Sequence, residues 1–204
     1  MRYLITQSLL SAWSYLFDCY EGCEEDAKTD FLNALNRVPK EKTQAMLNGI
    51  EFESEVYRQA HGLSREPHEK WETGIRKVAK IIGSAPVQVK AKREIAVGGM
   101  TFLVYGILDA LKAGVIYDVK FYNKSLGADD VYGKYLGSPQ HPTYFYIVPE
   151  ATEFRYLVCD GEDVYEESYD KENTRDIGEI IGHFIDWLAQ EDLLTVYKEK
   201  WVAL

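Results

Sequence analysis

The stretch Val104-Tyr105-Gly106-Ile107-Leu108-Asp109-Ala110-Leu111-Lys112-Ala113-Gly114-Val115-Ile116-Tyr117-Asp118-Val119-Lys120-Phe121 decides how the rest of the chain is read. Tyr105 to Leu111 and Val115 to Phe121 are rich in aliphatic and aromatic side chains. Lys112-Ala113-Gly114 lies between them as a turn, so two β-strands joined tightly are expected. Two acids interrupt these apolar strands, Asp109 on the first and Asp118 on the second, and Lys120 follows two residues later. Strand side chains alternate with period two, which puts Asp118 and Lys120 on one face. Pairing across so short a hairpin can bring Asp109 close to Asp118.

Charges on buried strands are costly unless something compensates them. One reading is a solvated pair at a sheet edge. The other is a divalent cation held by both carboxylates, with the lysine beside it activating or orienting a water. The tripeptide alone does not choose between them, because Asp26-Ala27-Lys28 repeats it in a polar segment with no strand around it. Context separates the two copies: only Asp118 has an upstream aspartate on a neighbouring apolar strand.

Gly106-Ile107-Leu108-Asp109, a turn and then Asp118-Val119-Lys120 resemble the central motif of the PD-(D/E)XK nuclease superfamily. Gln140-His141-Pro142-Thr143-Tyr144 is similar to the Gln-x-x-x-Tyr motif of its RecB-like and viral-exonuclease branches. Gly49-Ile50-Glu51-Phe52-Glu53 resembles the helix that carries the first acidic metal ligand in those branches. The resemblance runs from about Leu4 to Val148, with three motifs in the family's order. It departs from the superfamily pattern in having no proline before the first aspartate.

The resemblance implies an α/β fold with a restriction-endonuclease-like core, a mixed central β-sheet flanked by helices. It also implies Mg²⁺ or Mn²⁺ dependence and phosphodiester hydrolysis. Glu53, Asp109 and Asp118 would be metal ligands together with the Val119 backbone carbonyl, an all-oxygen set suited to hard cations. Lys120 would position the attacking water or neutralise charge in the transition state. Gln140 and Tyr144, one helical turn apart, would hold the substrate or the lysine. The expected function is a metal-dependent deoxyribonuclease, an exonuclease or a recombination and repair nuclease of phage or prophage type. RNA or nucleotide hydrolysis would use the same site. The rival reading is a nuclease-fold subunit that binds nucleic acid or assembles a complex without cleaving. By analogy, a recombination partner protein and a homo-oligomer belong to this expectation.

The 204 residues suit one domain with a substantial core, spanning 1–204. The net charge of −10 opposes nonspecific coating of DNA, which needs clustered Lys and Arg. It leaves a nuclease open, because bound cations invert the local field of an acidic site. Cys19, Cys23 and Cys159 do not make a disulfide framework, and no iron–sulfur cluster is expected from three cysteines without a late cluster. No apolar run is long enough to cross a bilayer, and the first residues lack a cleavage site, so a reducing cytoplasm is the expected location.

Leu4, Ile5, Leu9, Trp13, Leu16 and Phe17 recur at helical spacing, which predicts a first helix beginning near Thr6 or Ser8. Glu21 to Asp30 reads as an acidic loop or helix start, followed by a short helix ending at Pro39. Lys40 to Gly62 and Trp71 to Ile82 read as further helices. In the first of these Glu51, Glu53 and Glu55 cannot all face one site. Val87 to Ala96 alternates as a half-exposed strand and turns at Gly98-Gly99. Its Lys90, Lys92 and Arg93 fit phosphate contacts or ordinary edge charges equally well. Tyr122 to Pro139 reads as a polar loop whose Tyr132, Lys134 and Tyr135 either meet nucleic-acid bases or simply connect. Two strands follow at Glu153 to Cys159 and Asp163 to Tyr169. Asn173 or Thr174 is expected to cap a last helix with a stripe from Ile177 to Leu188.

Overall fold

A computed structural model describes residues 1–63 and 66–203 of the chain. A sheet of six strands runs through it: β1 (Arg2–Thr6), β2 (Val87–Val97), β3 (Met100–Lys112), β4 (Val115–Phe121), β5 (Glu153–Cys159) and β6 (Val164–Asp170). The helices are α1 (Gln7–Asp18), α2 (Glu24–Leu35), α3 (Gln44–Ala60), α4 (Glu72–Ile82), α5 (Gln140–Ile147), α6 (Ile177–Gln190) and α7 (Leu194–Lys200). Helices cover both faces of the sheet. Phe52 and Val56 of α3 pack with Ile75, Val78 and Ile82 of α4 on one side. Leu9, Phe31, Phe145, Phe184 and Tyr197, from α1, α2, α5, α6 and α7, belong to the core on the other.

The hairpin between β3 and β4 folds as its sequence requires. Lys112 pairs with Val115, and Ala113 and Gly114 both take positive φ, 51° and 81°. That is the two-residue turn whose twist matches paired strands, and glycine makes its second position free of strain.

β3 organises the sheet. β2 runs antiparallel along one edge, from Met100 to Ala110. The opposite edge is shared: β1 pairs parallel with Thr101 to Tyr105, and β4 pairs antiparallel with Ala110 to Lys112. Gly106-Ile107-Leu108-Asp109 is therefore left between two partners, in a gap on that edge.

Three expectations need correction. Leu4 and Ile5 belong to strand β1, not to the first helix, and Thr6 ends the strand while capping α1 through its hydroxyl on the Leu9 N–H. The chain's first strand is thus β1, and Val87–Val97 is its second. Of the two readings of the acidic segment the helix start holds: α2 begins at Glu24, with carboxylates favoured at a helix N-terminus. Asp176, rather than Asn173 or Thr174, caps α6 by accepting the Glu179 N–H, and α7 follows that helix. Finally, the segment from Tyr122 to Pro139 is only partly a surface connection. Leu126, Val131 and Tyr135 are buried in it, and the Tyr135 ring stacks on Tyr156 at 4.1 Å. Tyr132 alone of its three flagged residues keeps an exposed aromatic ring.

Candidate active site at the gap in the sheet

The gap beside β3 is filled by side chains. The Asp109 carboxylate accepts the Val119 N–H at 2.8 Å, taking the place of a ladder bond where β3 and β4 part. Tyr144 of α5 donates its hydroxyl to the Ile107 carbonyl at 2.8 Å. Gly106 makes this possible: a Cβ there would sit 2.4 Å from a ring carbon of Tyr144. The glycine of the central motif is thus required for close approach of α5 to the strand, with no unusual backbone angle involved. A cavity of about 250 Å³ opens at this point, lined by Thr6, Gln7, Ser8, Tyr105, Ile107 and Tyr144 among others.

Asp118 lies on β4 facing α5 and is 3% exposed. Gln140, the first residue of α5, donates its amide to Asp118 Oδ1. The Lys120 ammonium stands 2.6 Å from Asp118 Oδ2 and 5.9 Å from the centre of the Tyr156 ring. That pair is Coulombic in character, for Oδ2 is buried without a well-aligned hydrogen bond. Alternation along β4 thus places Asp118 and Lys120 together, as the sequence predicts.

Glu53 approaches from α3 on the other side of the sheet. Its Oε1 accepts the Tyr57 hydroxyl at 2.5 Å and the Gln88 amide at 2.9 Å. Glu51 and Glu55 point elsewhere, one to His68 and the other to Arg58. Gln88 is in the left-handed region, φ 52°, where a non-glycine residue costs about 1–2 kcal/mol. It also interrupts the β2–β3 ladder opposite Asp109, between the pairs Val87–Ala110 and Val89–Leu108. On either side of that break the apolar residues join different cores: Val89 and Leu108 the one, Val87 and Ala110 the other.

The electrostatics tie these four side chains into one unit. Burial, reinforced by the charges of Asp118 and Glu53, raises the Asp109 carboxyl well above the usual range, against the pull of the Val119 N–H. Burial and the Asp118 charge likewise raise Glu53, although the Tyr57 hydrogen bond opposes them. For Lys120 burial works to lower the ammonium, yet Asp118 and Asp109 outweigh it, and the group is raised above the ordinary lysine value. Three acids sharing a partly dehydrated space with one cation is an arrangement short of positive charge.

Among the described residues, no three His, Cys, Asp or Glu side chains converge into a closed ligand set. Each carboxylate is engaged by its own partners: Glu53 by Tyr57 and Gln88, Asp109 by the Val119 N–H, Asp118 by Gln140 and Lys120. All the donors are nevertheless oxygens, and Asp118 Oδ2 is buried with the Lys120 ammonium as its one close partner. That chemistry fits a hard divalent cation.

Two residues at the site carry no functional reading in the sequence. Tyr57 was legible in principle, because it follows Glu53 by four positions on a helix. Gln88 was not: it occupies the polar phase of an alternating strand, and nothing local announces its backbone angle. The other histidines and cysteines stay outside. His61 caps the end of α3, His68 stacks on Trp71 at 4.8 Å, and Cys159 is buried with its thiol pushed up to about 11 by burial. His141, inside the Gln-x-x-x-Tyr segment, is buried against Tyr169 and Tyr156 and pushed down to about 4 by desolvation, so it is a neutral core residue.

No family model and no curated protein sequence matches the chain. Solved structures do. A crystal structure of SSO0001 aligns with TM-score 0.55 at 13% identity, over 94% of this chain and 78% of that one. The crystal structure of LHK-Exo in complex with dAMP aligns with TM-score 0.52 at 13% identity, over 92% of this chain and 88% of the other. The shared feature is the fold: a restriction-endonuclease-like α/β core with a mixed sheet between helices. Among the described residues no helix is long and apolar enough to cross a membrane.

Proposed function

We propose that this chain is a divalent-cation-dependent phosphodiester hydrolase acting on DNA, an exonuclease or a recombination and repair nuclease of the RecB-like kind. The observation that supports the reading is the buried Asp118–Lys120 pair beside the gap in the sheet, with Asp109 and Glu53 near enough for the acids to raise one another. Glu53, Asp109, Asp118 and the Val119 carbonyl would hold Mg²⁺ or Mn²⁺, which when bound supplies Lewis-acid polarisation of a scissile phosphate and a more acidic water. The protein's own residues do the rest. Lys120, kept protonated by Asp118 and Asp109, offers N–H donors to a phosphate oxygen or to the attacking water and balances developing negative charge. Gln140 fixes the Asp118 carboxylate from the first turn of α5, and Tyr144 locks that helix onto β3 through the Ile107 carbonyl. Tyr57 and Gln88 set the direction of Glu53.

A non-cleaving role within a complex is favoured by one observation, the net charge of −10, which leaves little general affinity for a polyanion. The test separates the two readings. Purified protein is incubated with linear and circular DNA, single- and double-stranded, with Mn²⁺, Mg²⁺ or EDTA, beside Lys120→Ala. Metal-dependent cleavage lost in the variant is the expected result, and protection of circular DNA would mark an exonuclease. No cleavage by folded wild-type protein would overturn the enzyme in favour of the assembly subunit.

A further inference from the structure

On the side of α5 away from the carboxylates lies a second cavity of about 220 Å³, lined by Arg93, Phe145, Tyr146, Lys171, Arg175 and Asp176 among others. Three cations converge on it from β2 and from the segment before α6. Among the described residues none of the three forms an ion pair, although the chain holds 33 acidic residues against 23 basic ones. The single acid of the lining, Asp176, is turned to its own helix, where it accepts the Glu179 N–H at 3.1 Å. Three cations against the one carboxylate of Asp176 leave the lining with an excess of positive charge, which an anion stabilises.

The lining is also held in place. Arg93 lies over the Tyr146 ring at 4.9 Å and donates to the Tyr146 carbonyl at 3.2 Å, while Tyr146 donates its hydroxyl to the Glu94 carbonyl. Lys171 donates to the Pro149 carbonyl at 2.7 Å. A guanidinium fixed by stacking keeps its remaining N–H groups free for a bidentate anion, for which phosphate is the matching shape. The volume lies below the roughly 300–1,000 Å³ of drug-sized sites and suits one phosphate with part of its sugar.

We propose that the cavity formed by Arg93, Lys171 and Arg175 beside Tyr146 is a phosphate-binding site, separate from the carboxylate cluster, that holds a phosphate of a nucleic-acid strand. Only the choice of nucleic acid rests on the nuclease reading; the phosphate chemistry does not. α5 contributes to both places, Gln140 and Tyr144 on the carboxylate side and Phe145 and Tyr146 in this cavity, so one oligonucleotide is expected to reach both.

The test measures binding without cleavage. In EDTA, anisotropy of a labelled 12-nucleotide single strand and calorimetric titration with dAMP are compared for wild type, Lys171→Ala/Arg175→Ala and Arg175→Glu. Both substituted positions are exposed, and a thermal melt checks each variant's fold. Weakening of oligonucleotide binding by roughly tenfold or more, with a salt dependence shallower by about 1.4 for two lost contacts to a single strand, is expected. Loss of dAMP binding with the oligonucleotide unaffected would keep the site and assign it to free nucleotides. Unchanged binding of both probes, or no binding by wild type, would overturn the proposal. Because metal-dependent cleavage is scored separately, failure of the nuclease reading does not read as failure of this one.

Discussion

The chain spells Asp-x-Lys twice, and the two copies behave in opposite ways. At Asp26-Ala27-Lys28, on α2, both charged residues are exposed and the middle alanine is buried. At Asp118-Val119-Lys120, on β4, the aspartate is 3% exposed and its lysine stands against it at 2.6 Å. Periodicity produces the difference. Two residues apart on a helix diverge by more than half a turn, so Ala27 turns inward while its neighbours face water. Two residues apart on a strand share a face, so the half-buried Lys120 stands beside the buried Asp118 and the two must answer each other's charge. The same letters become surface on one element and a site on the other.

The comparison breaks if the helical copy matters to chemistry. Lys120→Ala is expected to lower the cleavage rate by about 10²–10³-fold, the size of losing one fixed donor to developing charge, whereas Lys28→Ala leaves it unchanged. A rate assay under saturating Mn²⁺ decides it, and equal loss in both would sink the distinction. The strand copy further depends on α5 lying close to β3. Gly106→Ala, whose Cβ meets the Tyr144 ring, is expected to cost about 1–3 kcal/mol in urea unfolding. A cost under half a kilocalorie would mean that Tyr144 yields freely.

Two smaller effects sharpen the contrast. Gln88→Ala frees one side of Glu53 and is expected to weaken Mn²⁺ binding about tenfold by calorimetry, while Lys90→Ala on the same strand has no effect. Unaltered affinity in both would remove Gln88 from the site. Asp109→Asn is expected to stabilise the fold by on the order of 1 kcal/mol at neutral pH, and Asp26→Asn to change it by less than about half of that. The sign follows from the raised carboxyl: the folded state binds the Asp109 proton more tightly than the unfolded chain does, so the ionised form disfavours folding. The advantage of the asparagine therefore shrinks as pH falls through the raised range and the wild-type carboxyl protonates. Denaturation at two pH values would show it, and a destabilised variant at neutral pH would contradict the electrostatic picture.

Much of this was legible in the sequence. The turn at Ala113-Gly114, the two apolar strands, the phase of Asp118 and Lys120, and the one-turn spacing of Gln140 and Tyr144 are all local properties, and the structure has each of them. What stayed hidden depends on distant partners. Leu4 and Ile5 fit a helical stripe as well as a strand, and only parallel pairing with β3, a hundred residues away, makes them β1. Tyr135 looked free because nothing nearby announces the Tyr156 ring beneath it. The gap at Gly106 to Asp109 arises because β1 and β4 share one edge of β3, which no window of sequence contains. Gln88 is the hardest case, since its backbone angle is imposed by that same junction.

The way β1 is held has a consequence for how the molecule is made. Its outer edge is bound by the far end of the chain: Leu4 N–H to the Trp201 carbonyl, Ala203 N–H to the Arg2 carbonyl, and the Tyr197 hydroxyl to the Leu4 carbonyl. These contacts join residues 193 positions apart for the Tyr197 bond. During synthesis β1 emerges well before residues 194–203, which must leave the ribosome before that edge is covered, and it is exposed meanwhile to pairing with other chains. Synthesis time, at about 5–20 residues per second, thus sets a window of roughly ten to forty seconds in which the nascent protein is most open to misassembly.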